Sequence, residues 1–197
     1  MPLLQVESLS VTRGDRTLIA DLSLRVCAGE LLHLRGANGA GKTSLLELLA
    51  GLRQPSRGRV AVEPEDLTVH WVGHRNGLNP HLSAAENLEF WCGLNGCPRS
   101  AARRALTAMR LPAGAQRRPT RTLSAGQKRR AALARLHADT RDLWLLDEPL
   151  DGLDRDGIAL FSGMLAAHLG AGGMVVMTSH QALPEGLAGV REWELAR

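Results

Sequence analysis

Residues 36–43 read Gly36-Ala37-Asn38-Gly39-Ala40-Gly41-Lys42-Thr43, the spacing G-x-x-x-x-G-K-[ST] of a loop that wraps phosphate. Its glycines allow successive backbone N–H groups to turn inward around an anion. Lys42 adds a point charge for the β- and γ-phosphates of a nucleotide, and Thr43 offers a hydroxyl to Mg²⁺. Ser44 continues into a leucine-rich helix whose positive end faces the same anion. Further along, the apolar run Leu143-Trp144-Leu145-Leu146 ends in Asp147-Glu148. Neighbours on a strand point to opposite sides. At the carboxyl end of a strand in an open α/β sheet, however, two acids can divide the work. Asp147 suits a Mg²⁺ shell through water, and Glu148 suits polarising an attacking water in phosphoryl transfer. The loop alone leaves kinases, GTPases and motors open.

Three further motifs narrow the choice. Leu123-Ser124-Ala125-Gly126-Gln127 opens a helix ahead of the apolar strand; Ser124 is a good N-cap and Gly126 allows close approach to backbone amides. Leu150-Asp151-Gly152-Leu153-Asp154 follows the acid pair, and Thr178-Ser179-His180 ends another apolar strand. In this order the set resembles the nucleotide-binding subunits of ABC transporters: Walker A, signature, Walker B, D-loop and switch histidine. The resemblance implies an ATP hydrolase that takes ATP and Mg²⁺ and works as a head-to-tail homodimer, each ATP lying between the Walker A of one copy and the signature of the other. It gives Ser124 and Gly126 contacts to the γ-phosphate from the second copy, with Ala125 and Gln127 beside them in the nucleotide site, and His180 a catalytic place beside Glu148.

Three positions depart from that family's usual pattern. Ala125 stands where the signature commonly has glycine. His74, after Val69-His70-Trp71-Val72-Gly73, stands where the Q-loop glutamine would offer an oxygen to Mg²⁺. A neutral ring nitrogen is a poor substitute for oxygen at Mg²⁺, so His74 is a doubtful metal ligand and reads equally as a residue acting through a metal-bound water or on a partner, or as a tolerated substitution with no special role. Arg13-Gly14 occupies the place of an adenine-stacking aromatic, in a chain with no tyrosine; Arg13 offers a planar guanidinium for the base instead. Together with Arg16-Thr17-Leu18, Gly73-His74, residues 82–88 (Leu-Ser-Ala-Ala-Glu-Asn-Leu), residues 123–130 (Leu-Ser-Ala-Gly-Gln-Lys-Arg-Arg) and residues 133–136 (Leu-Ala-Arg-Leu), these departures are similar to the CcmA family, ATPase subunits of bacterial haem exporters for cytochrome c maturation. That resemblance implies a CcmB-like permease, with CcmC and the haem chaperone CcmE nearby, at the cytoplasmic face of the inner membrane. Whether haem itself crosses, or ATP drives release of the haem-loaded chaperone, stays open. The alternatives are an exporter subunit for another cargo (lipid, lipoprotein or drug) and a soluble ABC ATPase acting on nucleic acid. The latter type carries fused halves or a long coiled coil, for which 197 residues leave no room, and no nucleic-acid partner is expected. Cys97-Pro98 alone is a weak signal for haem ligation.

Apolar runs alternate with turn signals as in a βαβ protein. Strands are expected over 3–6, 18–26, 31–35, 60–62, 68–72, 143–147, 174–178 and 191–195. Helices are expected over 42–51, 84–93, 101–109, 125–138 and 156–169. The expected fold is α/β: a P-loop NTPase core of ABC ATPase type with an inserted, mainly helical subdomain and an N-terminal antiparallel β portion. The whole chain, 1–197, would form a single ABC ATPase domain, with 1–76 and 137–197 as core and 77–136 as the helical subdomain carrying the signature. Ser83 and Glu86 have the spacing of a capping box. Leu88, Phe90 and Trp91 beyond them read equally as core packing or as the groove for a permease's coupling helix. No window approaches a membrane span, and the first residues lack the pattern of a signal peptide. Cys27, Cys92 and Cys97 have no metal-type spacing and are expected to be reduced. Residues 99–135 hold eleven Lys or Arg and no Asp or Glu, which reads either as a solvated surface or as a face for phosphate, anionic lipid or an acidic partner loop.

Overall fold

Apolar residues alternate with exposed ones along the N-terminal segment, so its strands bury one face and wet the other. Deeper in the chain the strands are apolar at successive positions, the pattern of a parallel sheet covered on both sides. The computed structural model describes the backbone of residues 3–195, and the side chains of those residues other than Arg13. In chain order the elements are β1 (Leu3–Arg13), β2 (Arg16–Cys27), β3 (Leu31–Arg35), α1 (Lys42–Leu49), β4 (Arg57–Glu63), β5 (Val69–Val72), α2 (Ala84–Leu94), α3 (Arg99–Ala108), α4 (Ala113–Gln116), α5 (Ala125–Leu133), α6 (Arg135–Ala138), β6 (Leu143–Leu146), α7 (Arg155–Gly170), β7 (Met174–Thr178) and β8 (Val190–Glu194).

The chain packs as two compact units. One comprises residues 1–73, 141–148 and 163–197, the other 74–140 and 149–162. The first holds an antiparallel sheet in the order β2-β1-β4 and a parallel sheet in the order β5-β6-β7-β3-β8. Leu4, Val6, Leu9, Leu32, Leu34, Leu45, Leu145 and Val176 belong to one buried cluster in this unit. β1 runs well past the expected 3–6 because Ser8, with φ 45°, absorbs a register shift and lets the strand resume toward Arg13.

The second unit is helical. α3 buries Ala101, Ala102, Ala105 and Leu106, and the three alanines are small enough to allow a close approach to α2. Ser83 and Glu86 form the capping box of α2, the Ser83 N–H donating to Glu86 Oε2 at 2.8 Å. Beyond it Leu88 is buried, Trp91 half-buried and Phe90 65% exposed, so core packing accounts for the first but not the last. The helix expected over 125–138 divides at Ala134, where the His137 N–H bonds the Ala134 carbonyl three residues back and the turn tightens. Residues 149–162, read from the sequence as core, pack with the helical unit. The reason is local: the Arg129 Nε donates to the Pro149 carbonyl at 3.1 Å, Arg130 pairs with Asp154, and Gly126 lies against Gly152.

Candidate functional site

β6, β7 and β3 are adjacent and parallel, so the segments that follow them leave the sheet at one edge. That edge collects residues 36–43, the acid pair 147–148 and residues 179–180. In an open parallel sheet it is where ligands bind. The loop after β3 adopts backbone that side chains resist: Gly36 has φ 137° and Gly41 φ 101°. A Cβ on Gly36 would lie 2.9 Å from the Leu195 carbonyl. Gly41 is the N-cap of α1 and has no side-chain cap. The helix therefore begins with N–H groups offered outward, and no acidic side chain in its first turn competes for them.

Lys42 Nζ donates to the carbonyls of Gly36 at 2.6 Å and Ala37 at 3.3 Å, which lays the cation across the loop. Ala37, Asn38 and Gly39 are exposed, while Ala40 and Ser44 are buried against the core. Asn38, Gly39 and Ala40 line a cleft of about 250 Å³ with Arg16, Thr17 and Leu18. Arg16 is a cation that sequence reasoning did not assign to the site; its only signal was its place in the motif string 16–18.

The Thr43 hydroxyl donates to Asp147 Oδ2 at 2.9 Å. Asp147 is 2% and Glu148 7% exposed. Glu148 Oε2 accepts the backbone N–H of His180 at 3.0 Å, and Oε1 lies 3.5 Å from His180 Nε2. The His180 ring is itself exposed. Thr178, fully buried, donates to Asp147 Oδ1 and accepts the N–H of Glu148, each at 2.9 Å. Its role was missed in the sequence, where the one signal was a hydroxyl ending an otherwise apolar strand. The arrangement can hold a polyphosphate on backbone N–H groups and Lys42, and can set a carboxylate, Glu148, to accept a proton from water. Thr43 Oγ1 and Asp147 supply hard oxygen donors that suit Mg²⁺. Among the described residues no group of three or more His, Cys, Asp or Glu could hold a metal by itself, so such an ion would depend on phosphate oxygens and water as well.

The remaining candidates belong to the helical unit or lie outside the description. Ser124 caps α5 in a second capping box, its hydroxyl accepting the Gln127 N–H at 3.2 Å while Gln127 Oε1 accepts the Ser124 N–H at 3.1 Å. Ala125 is exposed and Gly126 half-buried. A Cβ on Gly126 would come within 2.8 Å of the Gly152 carbonyl. Hydrogen bonds from Arg130 and from the Gly157 N–H hold the Asp154 carboxyl below its usual range. His74 is exposed on the bend after β5. Two residues further on, the Asn76 side chain accepts from the buried guanidinium of Arg129 at 3.1 Å. Arg13 closes β1, and its side chain lies outside the described residues.

Comparison with known proteins places this geometry. Residues 19–151 match the family model described as ABC transporter. The cytochrome c biogenesis ATP-binding export protein CcmA of Pseudomonas syringae pv. tomato is 44% identical, over all of this chain and 96% of its own length. The protein of the same description from Paracoccus denitrificans is 47% identical over 91% of this chain and 83% of its own. Among solved structures, an ATP-binding cassette determined as a dimer in a post-hydrolysis state with ADP and Pi superposes with a TM-score of 0.79 at 22% identity, covering 98% of this chain and 97% of that one. The α/β architecture is thus that of an ABC ATPase cassette, and no helix of the described residues is long and apolar enough to cross a membrane. With a phosphate loop and an acid pair on one sheet edge, a match to the ABC transporter model over most of its length and near-full-length identity of 44% to a CcmA, the chain belongs to the ABC transporter family and, within it, to the CcmA ATP-binding export proteins of cytochrome c biogenesis.

Proposed function

We infer that this chain binds and hydrolyses ATP for a membrane export complex of cytochrome c biogenesis. The observation that carries the reading is the convergence of the P-loop, Asp147, Glu148 and His180 on one sheet edge in a chain 44% identical to a CcmA. In this reading residues 36–44 hold the phosphates, with Lys42 on the β- and γ-oxygens. Thr43, and Asp147 through water, would hold Mg²⁺, which supplies charge neutralisation on the phosphate oxygens. Glu148 orients the attacking water and accepts its proton, and the His180 N–H fixes the carboxylate for that task.

The dimeric structures among the solved cassettes support a second copy as partner. Ser124–Gln127 would then meet the nucleotide from the opposite copy, so that closure requires ATP. The unit of residues 1–73, 141–148 and 163–197 would act as the nucleotide-binding core, and that of 74–140 and 149–162 as the helical subdomain carrying the signature. A CcmB-like permease, with CcmC and the haem chaperone CcmE, would receive the work at the cytoplasmic face of the inner membrane. His74, exposed on its bend, would contact a partner or act through a metal-bound water, because an imidazole nitrogen is a poor ligand for Mg²⁺.

The test is genetic and biochemical together. Deleting the gene should abolish haem-stained c-type cytochromes. The wild-type chain should restore them and the Glu148→Gln chain should not, although both accumulate. Restoration by Glu148→Gln would refute ATP hydrolysis as the source of work, and intact c-type cytochromes in the deletion would refute the pathway.

A further inference from the structure

We propose that Thr178 is a positioning residue for hydrolysis, setting both members of the acid pair at once; the proposal rests on the ATP-hydrolysing function inferred above. β7 is buried at every position, and the Thr178 hydroxyl closes it with no exposure to water. A hydroxyl in such a place must be satisfied by protein groups. It is satisfied in both directions, donating to Asp147 Oδ1 and accepting from the Glu148 N–H, each at 2.9 Å.

The other Asp147 oxygen accepts the Thr43 hydroxyl at 2.9 Å. Asp147 is therefore clamped between the phosphate-loop helix and β7, with its carboxylate fixed at both ends. Glu148 has φ 50°, in the left-handed region that a residue with a side chain occupies only when its surroundings hold it there. Thr178 holds its N–H, and two residues later the His180 N–H holds its carboxylate at 3.0 Å. The end of β7 thus grips the acid pair at three points within three residues. Any shift of that strand end moves Asp147, Glu148 and His180 together.

The experiment compares the full-length wild type with Thr178→Val, Thr178→Ser and Thr178→Cys, reading kcat, KM for ATP, nucleotide affinity, the Mg²⁺ concentration for half-maximal rate, and thermal midpoint. Valine keeps the shape and removes both hydrogen bonds. Its kcat should fall roughly ten- to hundredfold, the size expected for a lost hydrogen bond to a charged group. KM and nucleotide affinity should stay within about threefold, since the phosphate loop is untouched, and the Mg²⁺ requirement should rise. Serine should restore kcat. Should the valine variant not fold, cysteine, a weak donor of similar volume, must lower kcat where serine does not. A Thr178→Val enzyme with wild-type kcat overturns the proposal, as does a serine variant impaired equally with valine, or a parallel loss of kcat and ATP affinity. A wild-type chain that neither binds nor hydrolyses ATP overturns the functional reading itself, and this proposal with it.

Discussion

Replacing Glu148 by glutamine separates binding from chemistry. The Glu148 side chain is 9% exposed, with Oε2 accepting the His180 N–H at 3.0 Å and Oε1 lying 3.5 Å from His180 Nε2. Glutamine has the same length and can keep its carbonyl oxygen toward the His180 N–H, so the folded geometry survives. The ground state loses the difference between a charge-assisted and a neutral hydrogen bond, about 1 kcal/mol. The transition state loses the base, worth about 10²- to 10⁴-fold. At about 1.4 kcal/mol per decade that is roughly 3–5 kcal/mol of barrier. Steady-state phosphate release should therefore drop by at least about a hundredfold. ATP affinity should change by less than about fivefold, the equivalent of about 1 kcal/mol. Because the nucleotide persists, the variant should also accumulate as an ATP-dependent dimer in size-exclusion chromatography. A kcat within about fivefold of wild type would refute the role assigned to Glu148, because no general base contributes so little.

Three other outcomes are expected. His168 stacks on Trp144 at 3.9 Å between ring centroids, and its burial pushes its pKa down despite the hydrogen bond with the Met174 carbonyl and the nearby Asp142. The native chain then binds fewer protons than the unfolded one, so stability should fall as pH drops below about 6.5; denaturant midpoints equal at pH 7.5 and pH 5.5, or unaffected in slope by His168→Phe, would contradict this. Gly126→Ala should lower the thermal midpoint by a few degrees, because the added Cβ meets the Gly152 carbonyl at 2.8 Å: overpacking of about 1–3 kcal/mol exceeds the helix-propensity gain of up to about 1 kcal/mol, and a raised midpoint would show that the contact relaxes freely. With no tyrosine in the chain to stack on adenine, GTP should compete with ATP within about tenfold, about 1.4 kcal/mol; a strong ATP preference in a competition titration would reveal another group reading the base.

Local chemistry was legible in the sequence. The glycine spacing from Gly36 to Gly41, the apolar run before Asp147 and the capping pair Ser83 and Glu86 each act within a few residues, and so does the physics that makes them recognisable. The parallel sheet follows from β6 being apolar at every position and β7 at every position before Thr178, since only a strand covered on both faces can be. Tertiary structure decided the rest, because it brings together groups far apart in the chain. Thr43 and Thr178 share Asp147 across 104 and 31 residues, which no local spacing encodes. Segment 149–162 joins the helical unit through Arg129, Arg130 and Gly126, contacts made by a helix some twenty residues upstream. Arg16 reaches the phosphate-loop cleft because β2 starts beside it, while the sequence pointed to Arg13. A residue type and its near neighbours can announce a chemistry. Which partner completes it depends on where the sheet order places the strand ends.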